Sequence, residues 1–64
     1  MEFKAGQKVR IRGDRHDYTD GLDGEIGIII EVNEADVRAV FKHEVSTFDW
    51  CIWKNNIIEI VEDV

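Results

Sequence analysis

No proline interrupts this 64-residue chain, so nothing in it imposes a rigid linker, a kinked helix or a proline-marked edge strand. Cysteine is nearly as scarce. Cys51 stands alone, which excludes an intramolecular disulfide and a cysteine-rich zinc site and suits a reducing compartment. No apolar run approaches the ~20 residues of a membrane-crossing helix, and Met1-Glu2-Phe3-Lys4 opens no pattern of basic residues followed by apolar ones. The expectation is a soluble, cytoplasmic protein with no membrane partner. Repeats and low-complexity tracts are missing too, so one domain over 1–64 is expected, with an ordered core from about residue 3 to 61.

Basic residues are few: eight Lys and Arg against fourteen Asp and Glu leave a net charge of −6. The distribution says more than the total. Residues 1–13 are basic through Lys4, Lys8, Arg10 and Arg12, whereas residues 14–36 hold eight carboxylates against Arg15 alone. A polyphosphate would meet repulsion from most of this surface, so nucleic acid is disfavoured as a partner. Only a small strip at Lys8, Arg10 and Arg12 could serve a nucleic-acid-associated protein.

What the chain has in quantity is hydrophobic alternation. Hydrophobic residues make up 44% of it, enough for a core although a domain this small buries only about 60% of its unfolded surface. Gln7 to Arg12 sets Val9 and Ile11 on one face and Lys8, Arg10 and Arg12 on the other, the period of a half-buried strand. Gly13 to Gly24 is polar, and its Asp20-Gly21 and Asp23-Gly24 pairs favour turns, which predicts one long acidic loop. Glu25 to Val32 is predicted as a strand, with Ile26, Ile28, Ile30 and Val32 on the core face and Gly27, Ile29 and Glu31 on the other. After a turn at Asn33 to Asp36, Val37, Ala39 and Phe41 point inward in the strand Val37 to Lys42. His43 to Thr47 is expected to connect to a strand Phe48 to Trp53, with Phe48, Trp50 and Ile52 inward. Lys54-Asn55-Asn56 reads as a 3₁₀ turn before the last strand, Ile57 to Val61, and the final three residues are expected to fray. In that strand either Ile57 or Ile58 could begin the inward face.

No ten-residue stretch carries the three-and-four spacing of a helix. The fold class expected is therefore all-β: a small five-stranded barrel of the SH3-like kind, with a long acidic loop between strands one and two and a 3₁₀ turn before the last strand. Gly6 to Ile11, Gly24 to Gly27, Val37 to Phe41 and Ile57 to Val61 resemble SH3-like families. The opening and closing strands are similar to the E subunit of photosystem I and to the variable subunit of ferredoxin-thioredoxin reductase. Arg12-Gly13-Asp14, Asp20-Gly21, Gly24 and Gly27 resemble the mind-bomb type domain of certain ubiquitin ligases. These resemblances cover core and turn positions and imply a fold more than a function. The aromatic run and the Pro-Tyr pair of Src-type domains are absent, so a proline-rich ligand is not expected.

Function is read as binding. Asp14, Asp17, Asp20 and Asp23 recur at every third position beside Tyr18, and Trp53 falls on the non-core face at the end of its strand. Together these are the candidate partner-binding residues, suited to a protein with a basic surface. Their spacing is not that of a calcium loop, so no metal is expected, nor any cofactor. Catalysis is not expected either, because Cys51 would need His16 or His43 as a base within reach and a small barrel has no deep cleft. The leading expectation is a non-catalytic protein-binding module or modulator. Its size, acidity and lack of proline are associated with phage and mobile-element proteins. Alternatives are the nucleic-acid-associated barrel and an accessory subunit of a larger enzyme complex, whose docking patch would lie at Ile29, Val40 and Trp53.

Overall fold

A computed structural model describes residues 1–64. The chain is all-β: β1 (Lys8–Ile11), β2 (Ile26–Val32), β3 (Asp36–His43), β4 (Ser46–Trp53) and β5 (Ile57–Glu62) form one antiparallel sheet in the order β4-β3-β2-β1-β5. The long acidic loop lies between β1 and β2, and a 3₁₀ turn at Lys54–Asn56 precedes β5, as the sequence predicts. No strand ladder closes the sheet, so β4 and β5 are both edges. No helix is long and apolar enough to cross a membrane.

The core consists of Val9 and Ile11 from β1, Ile29 from β2, Val37, Ala39 and Phe41 from β3, Ile52 from β4 and Ile57 from β5. β1 and β3 bury the faces their alternation announces. β2 buries the opposite one: Gly27 and Ile29 point inward, while Ile26, Ile28, Ile30 and Val32 are exposed. Phe41 is the reason. A Cβ on Gly27 would lie 2.7 Å from Phe41 Cε1, so the missing side chain makes the space in which the ring is seated. The register then shifts between Ile29 and Glu31, which leaves Ile30 as an extra residue in the ladder.

Trp50 also departs from expectation. It lies opposite Ala39 on the inward side of β4 but stays 43% exposed, because β4 is an edge and only the acidic loop stands beside the indole. At the other edge, Ile57 pairs with Ile11 and is 4% exposed, whereas Ile58 is extruded by a register shift and is 54% exposed. The hairpin between β3 and β4 is tighter than predicted, with only Glu44 and Val45 between the strands and Glu44 at φ 55°. β5 runs one residue further than predicted, to Glu62. Glu62 pairs with Lys8, and the fully buried Gln7 donates from Nε2 to Asp63 Oδ1 at 2.9 Å and accepts at Oε1 from the Lys4 amide.

Candidate functional site

The acidic loop is ordered by its own hydrogen bonds. Two short 3₁₀ turns, Arg15–Asp17 and Asp20–Leu22, are joined through Tyr18 and Thr19. Thr19 is buried and clasps Asp14: the Asp14 amide donates to Thr19 Oγ1 at 2.9 Å, and Thr19 returns its amide and its hydroxyl to the Asp14 carbonyl. This clasp needs Gly13, since a Cβ there would sit 2.6 Å from the Thr19 carbonyl oxygen. The Asp14 carboxylate caps the first turn by accepting from the His16 amide at 2.9 Å. That bond holds its pKa below the ordinary aspartate value, helped by the Asn56 amide and the nearby His16 and Arg12 charges and opposed by partial burial. Asp23 accepts from the Gly13 amide at 2.8 Å. Two of the four loop aspartates therefore hold the loop together.

Tyr18 has the opposite role. It adopts a left-handed backbone, φ 60°, uncommon for a residue of its size, and its side chain is 84% exposed. The ring stands at the mouth of a groove between the loop and β4. Here a depression of about 520 Å³ is lined by Tyr18, Trp50 and Trp53 together with Asp17, Asp36 and Asp49. Trp50 Nε1 donates to the Asp17 carbonyl at 3.4 Å, which places the indole across the groove. Tyr18 and Trp50 also wall a neighbouring depression of about 420 Å³ floored by Leu22 and Phe48. Trp53, 48% exposed, is shared with a third, of about 550 Å³, beside Asp14 and the 3₁₀ turn before β5. The central depression shares Trp53 with one neighbour and Tyr18, Asp49 and Trp50 with the other.

Its charge is predominantly negative. Arg38 is the one guanidinium in the central depression, and it is tied to Asp49 at 2.6 Å, a bond that raises the arginine's pKa further. Asp36 accepts from the Asn33 side chain, and the Asp17 carboxylate has no salt bridge. A guanidinium or ammonium group entering here would meet carboxylates together with three large aromatic side chains, groups that take part in cation–π contacts.

Asp17, Tyr18 and Trp53 thus come together in one depression, and Asp14 lines the adjoining one; Asp20 and Asp23 lie outside all three. Trp50, Asp36 and Asp49 belong to the groove but were not legible as a set: the β3–β4 register sets Asp36 opposite Trp53, and Trp50 was expected in the core. Cys51 is half-buried in the same depression as His16, with no hydrogen bond between them. The basic strip is largely paired. Lys8 meets Glu62 at 3.3 Å, Arg10 meets Glu59 at 3.0 Å, and Arg12 donates to Asn55 and Asn56 oxygens. No group of three or more His, Cys, Asp and Glu side chains converges as a metal site would require. Ile29, expected on a docking face, is core, and the exposed aliphatic residues of β2 are instead Ile26, Ile28, Ile30 and Val32. No protein-family model matches the chain, and no curated protein or solved structure matches it either.

Proposed function

We propose that the chain is a non-catalytic binding module of SH3-like fold that takes a basic segment of a protein partner into the groove between its acidic loop and β4. The observation that carries this reading is the convergence of Tyr18, Trp50 and Trp53 with Asp17, Asp36 and Asp49 around one open depression. Exposed tryptophans and tyrosines of this kind supply most of the energy of an interface where they are desolvated, and the carboxylates select a cation. Asp17 and Trp53 are the main contacts. Asp14 and Asp23 act indirectly, by holding the loop that presents Tyr18.

Calorimetric titration with a synthetic peptide of alternating arginine and threonine tests the reading. Binding at low ionic strength, weakened steeply by salt, lost in Asp17→Lys and weakened about thirtyfold in Trp53→Ala, is the expected result. Equal binding of a glutamate-threonine peptide, or no effect of either substitution, would contradict it. A second reading, an accessory subunit of a larger complex, is favoured by a different observation: Ile28 on β2 faces Val40 on β3 directly, between exposed Ile26 and Ile30 on the outer face. A photo-crosslinker placed at Ile28 or at Trp53 distinguishes the two by which position captures a partner.

A further inference from the structure

β4 has one neighbour, β3, and its far side borders the groove. In an antiparallel pair, alternate residues turn both N–H and C=O away from the neighbouring strand. No backbone group of Ser46–Trp53 bonds to the loop or to any side chain, so this row of donors and acceptors is unpaired. Soluble proteins generally blunt such an edge with bulges, lysine, proline or a very short strand. β4 has none of these, and the acidic loop that stands beside it makes no bond to its backbone. It is eight residues long, keeps register with β3 without a shift, and carries one charged residue, Asp49, which is engaged by Arg38.

We infer that β4 is a docking edge, along which an extended basic segment of the partner adds as a sixth strand. The proposal rests on the reading of the groove as a basic-segment site and adds the geometry of binding. The segment's backbone pairs with the free side of β4, and every second side chain, a lysine or arginine, lies on the face that carries Trp50, beside Tyr18, while the alternate side chains lie on the face of Asp49 and Trp53. A strand of eight residues spans roughly 27 Å, so the contact would engage about eight residues of the partner. Charge selects the occupant. A second copy of this chain would bring another net −6 and a second Asp49 to the same edge, whereas a basic segment brings the complementary sign.

Three peptides test this against the intact chain: the alternating arginine-threonine peptide and two forms of it, N-methylated at every arginine or at every threonine. Both methylated forms keep the charge and the side chains, but they remove the two alternate sets of backbone donors. Strand addition predicts that one form binds at least about tenfold more weakly while the other stays close to the parent, since only one set faces β4. Equal binding of the two forms would overturn strand addition and leave the basic-groove reading standing. Failure of the parent peptide to bind would remove both. Sedimentation of the chain alone as a dimer, with its β4 amides protected from exchange until dilution, would assign the edge to a second copy and also overturn the proposal.

Discussion

β5 and β4 are both edge strands, yet β5 has two register shifts in its ladder with β1, whereas β4 pairs evenly with β3 along its whole length. The shifts extrude Ile58 and Val61, and Glu59 and Glu62 hold Arg10 and Lys8 across the ladder. An edge of that kind offers an incoming strand neither a regular row of donors nor a neutral approach. At β4 the row is regular, and the side chains beside it are Phe48, Trp50 and Trp53. One edge is closed to further pairing by its own irregularity. The other is left regular beside an acidic loop, and the proposed binding side rests on this contrast.

The largest effect expected separates Ile57 from Ile58. Ile57→Ala removes a core side chain and should cost about 2–5 kcal/mol in urea unfolding, while Ile58→Ala should stay within about 0.5 kcal/mol. Similar losses at both positions would mean that the β5 bulge is absent and the contrast between edges is weaker than drawn. Next comes Trp53→Ala, expected to weaken arginine-threonine peptide binding by about 2 kcal/mol, roughly thirtyfold, while changing stability by no more than about 1 kcal/mol. A loss of stability as large as the loss of affinity would make Trp53 a packing residue. Smaller still is Glu59→Gln with Glu62→Gln. These exposed pairs should contribute no more than about 1 kcal/mol each to stability, and their removal should not weaken peptide binding.

Acid sharpens the comparison in another way, because both lowered aspartates fasten chain segments rather than the sheet. Asp63 is held below its ordinary pKa first by the Gln7 side chain and then by the Val64 amide, and Asp14 by the His16 amide. A carboxylate whose folded pKa is depressed adds stability above its unfolded value of about 3.9, and that contribution disappears as pH falls through the folded value. Unfolding midpoints should therefore drop as pH is taken below about 4. Asp14→Asn should flatten part of that dependence, and an unaltered profile would mean that the cap does not distinguish the folded chain from the unfolded one.

How much of this was legible depends on whether one face of a strand was clearly polar. In β1 the alternation of Val9 and Ile11 with Lys8 and Arg10 leaves one solution, and the structure adopts it. In β2 both faces are apolar, so the pattern favoured the face with more isoleucines; the decision came from Gly27 and Phe41, two residues on different strands whose sizes are complementary. Trp50 alternates correctly but lies on an edge, and alternation carries no information about strand order. The same limit hid the groove. Asp17, Tyr18 and Trp53 were visible as an acidic and aromatic set, whereas Asp36 joins Trp53 through the β3–β4 register, and Asp49 and Trp50 meet the loop only because it turns back on Thr19 to stand beside β4.

The most direct test of the account is a two-dimensional amide NMR titration of the chain with the arginine-threonine peptide. The groove predicts that the Trp50 and Trp53 indole signals and the amides of Asp17, Tyr18 and β4 move together, while those of β5 stay fixed. Movement confined to Ile26, Ile28 and Val40, or to Lys8, Arg10 and Arg12, would place binding elsewhere and contradict it.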